Sequence, residues 1–227
     1  MAYYFHLEEQ YFNEVLGQDF NVLMGDEPGI EALNLAAGTY DITELTDMAD
    51  YVYDAENLRT LAGKKYHKKK NHVNAFLKEY EGRYEYRALT PADKGTIWQF
   101  LNRWENGKSD DVGQHLEGEI VGIHELLNNL DKINAKIAGV FIDGQLEAFT
   151  VGSYNPTDRM AVIHIEKANA DIRGLYTFIN QQFLVHEFAD AVLVNREDDV
   201  GMEALRKAKQ SYHPIMMVRK FSMQQKR

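Results

Sequence analysis

Residues 137–167 run IAGVFIDGQLEAFTVGSYNPTDRMAVIHIEK. Two apolar-rich runs, Ile137–Ile142 and Gln145–Gly152, flank the dipeptide Asp143-Gly144. Such a pair favours a type I′ hairpin, because both central residues of that turn must take positive φ. Asn155-Pro156-Thr157-Asp158 supplies a second turn and leads into a third run, Met160–Lys167. The stretch therefore predicts an antiparallel meander of three strands. Alternate residues of a strand share a face. On the third strand Val162, His164 and Glu166 are expected on one side, and Ala161, Ile163 and Ile165 on the other.

Downstream, Gly174–Phe188 has the period of an amphipathic helix, with Leu175, Phe178, Ile179 and Phe183 inward. A short apolar strand, Ala191–Val194, follows, then a helix over Gly201–Gln210 and a last strand over Ile215–Phe221. A helical crossover back to the same sheet makes Ala191–Val194 parallel to Met160–Lys167. Upstream, Arg83–Arg87 alternates as a strand. Thr90-Pro91 is a helix start, with the threonine as N-cap and the proline at the first helical position. Ile97, Phe100, Leu101 and Trp104 form the inward stripe of that helix. A polar loop is expected over Asn106–Gly113, then a helix lined by Leu116, Ile120, Ile123, Leu127 and Leu130. The order is strand, two helices, three antiparallel strands, helix, strand, helix, strand. It resembles the GCN5-related acetyltransferase fold, an α/β (α+β) architecture whose mixed sheet is flanked by helices and splayed between the last two parallel strands. On this reading residues 81–227 form a complete acetyltransferase-like domain.

Residues 1–80 are expected to be a shortened subdomain of the same kind. A helix over Glu8–Leu16, a strand over Phe20–Met24, a helix from Pro28 to Ala37 and a strand over Asp50–Tyr53 are too few to make a sheet alone. They either pair with later residues or are the remnant of a fuller subdomain. The segment ends in a helix over Lys64–Tyr80. Tyr66, Val73, Phe76, Leu77 and Tyr80 lie on one of its faces, and Lys65, Lys68, Lys69 and His72 on another.

Composition bounds the function. The 227 residues carry a formal net charge of −10 and contain no cysteine. Thiol catalysis, disulfides and thiolate metal sites are excluded, and the absence of cysteine suits a reducing cytoplasm. No apolar run reaches the roughly 18 residues a membrane span needs, and the first residues lack the pattern of a signal peptide. The eight histidines show no metal-ligand spacing, so no metal is expected. Against this acidic background, Lys64–Lys70 holds five lysines and His67 in seven residues. A concentrated basic segment points to a phosphate-bearing ligand or to a solvated helix face.

Three constellations could carry chemistry. His164 and Glu166 offer a general base or an amine ligand on a central strand. Asp171-Ile-Arg173-Gly174-Leu-Tyr176 opens the crossover helix. In acetyltransferases a glycine-rich turn here presents backbone N–H groups to a pyrophosphate. Here Gly174 stands alone and Tyr176 fills the place of a small residue, which counts against coenzyme A and leaves anion binding by Arg173 and the helix end. Finally, the four polar residues Asn195–Asp198 sit at the exit of the parallel strand, where open α/β sheets place their sites. Asn195 is expected to face His164 and Glu166. Arg206 and Lys209, on the following helix, would hold a phosphate or carboxylate, or else pair with Glu203 or Asp198.

With Lys64–Asn74, Ile163–Ala168 and the segments Asn195–Gly201 and Leu205–Pro214, the chain resembles an uncharacterised bacterial family. That family is related to the C-terminal domain of phosphatidylglycerol lysyltransferase. The resemblance runs from about Tyr51 to Phe221. It implies tandem acetyltransferase-like subdomains, as in Fem-type aminoacyltransferases. It further implies transfer of an acyl or aminoacyl group, with aminoacyl-tRNA as one candidate donor, to an amine or hydroxyl. His164, Glu166 and Asn195 are then the catalytic candidates. Lys68, Lys69, Arg173, Gly174, Tyr176, Arg196, Glu197, Asp198, Arg206, Lys209 and Tyr212 are the candidates for binding donor or substrate. Coenzyme A or aminoacyl-tRNA are the possible donors. The alternatives are an acetyl-CoA-dependent N-acetyltransferase and a non-catalytic binding or regulatory module.

Overall fold

The computed structural model describes residues 2–106, 113–129 and 132–226. Positions 107–112 of the loop expected over Asn106–Gly113 and the core position expected at Leu130 lie outside these residues, as does the side chain of Leu116. In chain order the strands are β1 (Asn21–Asp26), β2 (Tyr40–Glu44), β3 (Asp50–Asp54), β4 (Tyr84–Ala88), β5 (Ala135–Ile142), β6 (Gln145–Asn155), β7 (Met160–Ala168), β8 (Leu193–Asn195), β9 (Met216–Val218) and β10 (Lys220–Gln225). The α-helices are α1 (Ala2–Gln10), α2 (Glu27–Leu33), α3 (Ala55–Thr60), α4 (His67–Glu79), α5 (Lys94–Asn106), α6 (Gly113–Asn128), α7 (Leu175–His186) and α8 (Glu203–Gln210).

The chain divides into two compact units, residues 1–52 with 196–227, and residues 53–195. This division differs from the expected boundary at residue 80. The basic helix α4 lies wholly within the central unit, and the first unit is closed by the C-terminal residues.

The central unit holds the meander. Asp143 and Gly144 take φ of 49° and 83°, the left-handed pair that a type I′ turn requires. β4, β5, β6 and β7 are successively antiparallel. β8 returns parallel to β7, pairing Met160 with Leu193, Ala161 with Val194 and Val162 with Asn195. No further pairs follow: β8 ends at Asn195 and β7 runs on from Ile163 without it, and this end of the pairing forms the fork. A meander, a helical crossover and a parallel return strand that pairs over three residues make the GCN5-related acetyltransferase-like fold. One face of the sheet packs on α5 and α6, through Ile97, Phe100, Leu101, Ile123 and Leu127 against Phe149, Val151 and Ile165. On α7, Phe178 meets Phe76 of α4 with ring centroids 4.5 Å apart. Thr90 and Asp93 form a reciprocal capping box at the start of the turn Pro91–Asp93 that leads into α5.

The first unit answers the question its thin sequence raised. β1 and β2 are both antiparallel to β10, one on each side, in a three-stranded sheet. The opening strands thus pair with the end of the chain. Phe5, Phe20, Leu33, Tyr40 and Met223 fill the core beneath them. The first half of β3 pairs with β9. The single strand expected over Ile215–Phe221 is two strands, β9 and β10, and β10 runs on to Gln225. β2 was not foreseen, because Tyr40-Asp-Ile-Thr-Glu44 is mostly polar and its outward residues are exposed.

Gly174 carries a constraint that the fold cannot relax. Its φ is +87°, and a Cβ built there would lie 2.1 Å from the carbonyl oxygen of His72. Both conformation and space demand glycine. Gly174→Ala is expected to cost about 3 kcal/mol of stability. A denaturation midpoint equal to that of the wild type would disprove this packing.

Candidate functional site

β7 carries the first two candidate residues, but its strand is not regular. β6 and β7 pair Val151 with Ile165 and then Gly152 with Ile163, so His164 is an extra, bulged residue. The bulge changes the faces. Ile165 belongs to the core under α5 and α6, and His164 bonds Ser153, its Nε2 lying 2.8 Å from the serine Oγ. His164, Ser153 and Ile165 all line the same cavity beside α6. Glu166 turns the other way, where Asn180 of α7 donates Nδ2 to its carboxylate at 2.8 Å. The expectation that His164 and Glu166 share a face is therefore wrong. Strict alternation assumes no inserted residue, and the bulge inserts one. Both residues nevertheless lie on the part of β7 beyond its last pair with β8, at the fork. Asn195 is buried at the end of β8, opposite Val162 rather than opposite either residue.

The loop leaving β7 leads to the N-terminus of α7, where orphan N–H groups and the helix dipole attract anions. α4 packs against this end. The imidazole of His72 is held below its usual pKa by desolvation and by the nearby cations Lys69 and Arg173. The structure thus gathers Lys69 and Arg173, candidates drawn from segments about a hundred residues apart, around one helix terminus. Lys68 lies exposed on α4, next to Lys69 in sequence. Tyr176 lies half-buried in the first turn of α7.

In the first unit the polar stretch after Asn195 is a tight loop, not an open cluster. Glu197, Val200 and Gly201 take φ of 55°, 45° and 76°. Such conformations persist only where their surroundings enforce them. Lys209, on α8, supplies part of that enforcement. Its buried ammonium donates to the carbonyls of Arg196 at 2.6 Å and Glu197 at 3.2 Å, and to that of Asp198. The side chain of Arg196 stacks over the buried ring of Tyr212, 4.8 Å from its centroid.

Beneath the loop lies Asp199, which sequence reasoning passed over. Only 3% exposed, it accepts from Arg206 Nε and Nη2 at 2.9 Å each, from Tyr51 Oη at 2.5 Å and from the Gly201 N–H at 3.0 Å. Arg206 also donates to Asp47 at 2.8 Å. Arg206 and Lys209 were expected to hold phosphate, or to pair with Glu203 or Asp198. The structure instead engages Arg206 with Asp199 and Asp47, and Lys209 with backbone carbonyls. Asp199 was legible only as one of several acids in a polar run. Ser153 and Asn180 carried no sequence signal, since both act through partners on distant elements.

Residues 17–224 match the family of phosphatidylglycerol lysyltransferase C-terminal domains. The chain belongs to that family. A conserved protein of unknown function from Bacteroides thetaiotaomicron is 28% identical and superposes with a TM-score of 0.88, covering 97% of this chain and 74% of its own. The L-PGS of Bacillus licheniformis is 14% identical, with a TM-score of 0.67 over 97% of this chain and 72% of its own, and shares the fold. An uncharacterised protein of Mycoplasmoides gallisepticum is 26% identical over 202 residues, 88% of this chain. This chain spans 64% of that relative's length. Among the described residues no helix is long and apolar enough to cross a membrane. Nor, among them, does any group of three or more His, Asp or Glu side chains stand placed to hold a metal ion.

The pKa of Asp199 is lowered to about 2, chiefly by the Arg206 hydrogen bonds and further by Tyr51 and the Gly201 N–H. A carboxyl whose folded pKa lies below its unfolded value of about 3.9 stabilises the fold above that value. The contribution fades as pH falls through about 2. Asp199→Asn is expected to lose about 2 kcal/mol at neutral pH. The stability gap between wild type and variant should close between about pH 4 and pH 2, measured by denaturant unfolding across that range. A gap that stays constant with pH would contradict the ion pair.

Proposed function

We propose that the chain binds a phosphate-bearing acyl donor, an aminoacyl-tRNA, and transfers the aminoacyl group to a hydroxyl or amine. The observation that supports this is the gathering of Lys69, His72 and Arg173 around the N-terminus of α7, at the open end of the forked strand β7. Cations beside a helix terminus suit a nucleic-acid phosphate. Membership of the phosphatidylglycerol lysyltransferase C-terminal family favours the same donor class. An acetyl-CoA reading fits less well, because Gly174 is the lone glycine of this turn and the half-buried Tyr176 stands where a small residue would let a pyrophosphate approach.

In this reaction the acceptor oxygen or nitrogen attacks the ester carbonyl of the donor. The bond to the ribose oxygen breaks, and that oxygen leaves with a proton. His164, at the bulge, takes the acceptor proton. Glu166, on the α7 side and held by Asn180, meets the ammonium of the aminoacyl group. Asn195, at the end of β8, donates to the developing oxyanion. Lys68 adds to the phosphate contacts from the exposed side of α4. Charged tRNA is a cytoplasmic substrate, and the proposal places the protein there.

Filter binding with aminoacyl-tRNA, uncharged tRNA and coenzyme A tests the donor. Charged tRNA is expected to bind with a marked salt dependence, and coenzyme A to show no saturable binding. Lys69→Ala and Arg173→Ala should each weaken binding roughly tenfold at low salt and lower the salt slope by about one. Saturable coenzyme A binding, or charged tRNA binding that ignores both substitutions, would overturn the assignment. In a transfer assay His164→Ala should abolish turnover while leaving donor binding unchanged.

A further inference from the structure

A cavity of about 570 Å³ opens beside α6 in the central unit. Its size is that of sites which enclose small organic ligands. The wall is mostly apolar, formed by Ile123, Leu126, Ile133 and Ile165, with Asn134 also lining it. Set into it is the pair Ser153 and His164, 2.8 Å apart. Among the described residues, no Lys, Arg, Asp or Glu lines it. The His164 imidazole is the one described side chain of the lining that can carry charge, and the rest of the wall offers a charged ligand no ionic partner.

Gly122 stands exposed at the rim of the cavity. It sits within α6, where glycine destabilises a helix relative to alanine. Its φ is not in the left-handed region, and a Cβ added to it would meet nothing within 4 Å. Neither backbone conformation nor close packing calls for glycine here. The residue leaves open the space beside the cavity it lines.

We infer that this cavity is a binding site for a neutral, single-chain alcohol, its hydroxyl at Ser153 and His164 and its chain among the isoleucines and Leu126. A serine hydroxyl has one proton and two acceptor positions, so its bond to His164 leaves Ser153 able to bond a ligand hydroxyl as well. The apolar chain gains by leaving water. Because His164 stands at the fork, the site becomes the seat of the acceptor if the transfer reaction proposed above is correct. The binding site itself does not depend on that reaction.

The test is a nuclear magnetic resonance titration of the full chain with 1-octanol, with octanoate as the charged control. Saturable shifts are expected at Gly122, Ile123, Ser153 and His164, and octanoate should bind at least tenfold more weakly. Ser153→Ala should weaken octanol binding roughly three- to tenfold, the worth of one hydrogen bond. Gly122→Leu should abolish binding without lowering the melting temperature, since it fills open space and favours the helix. Leu126→Phe is a second variant that narrows the same cavity. Equal affinity for octanoate, shifts elsewhere on the protein, or unchanged binding in both cavity variants would overturn the site. Octanol binding without aminoacyl transfer would uphold the site and remove the reaction. Transfer without octanol binding would do the reverse.

Discussion

Parallel pairing between β7 and β8 stops after Val162 and Asn195, and the candidate site of the central unit is arranged around that stop. A paired strand has its backbone groups satisfied and its edges closed. A strand that loses its neighbour exposes a row of N–H and C=O groups to whatever enters the gap. Here the gap has different chemistry on its two sides. Toward α6 stand His164 and Ser153 with an apolar cavity. Toward α7 stands Glu166, tied to Asn180. The bulge at His164 creates this division, because one added residue sends His164 and Ile165 to the same face. A single insertion in the pairing thus separates an uncharged pocket from a carboxylate on the neighbouring strand position.

The basic helix gains its meaning from where it lands. A lysine face on an isolated helix is ordinary and costs little to leave in water. α4 instead packs its aromatic side on α7, through Phe76 and Phe178, and sets its backbone against Gly174. Lys69 and His72 are thereby carried to the helix terminus next to Arg173. The same close approach explains why Gly174 is glycine, so this residue needs no phosphate to justify it.

In the other unit, the residues after Asn195 show how a functional-looking cluster can be built largely of supports. Asp199 neutralises Arg206 and fixes Tyr51, whose own hydroxyl is pushed up to about 12 by burial and by that carboxylate. Lys209 gathers the carbonyls of Arg196, Glu197 and Asp198. A charged side chain in the interior is tolerated only when its hydrogen-bonding capacity is used, and these two networks use it. What the loop offers outward is its geometry, held in three left-handed residues.

The sequence by itself determined the meander, the crossover and the parallel return. The positive φ of Asp143 and Gly144, the capping box at Thr90 and the helical period of Leu175, Phe178, Ile179 and Phe183 are all set by contacts within a few residues. It also marked β7, the start of α7 and the segment after β8 as the places to look. Tertiary structure alone decided the rest. The bulge that parts His164 from Glu166 is a matter of register against β6, and register is chosen by the whole sheet at once. The pairing of β1 and β2 with β10, and of Arg206 with Asp47, joins segments more than 150 residues apart. Local periodicity carries no information about such partners. They are selected by which distant surfaces bury apolar area and satisfy buried polar groups when the chain closes.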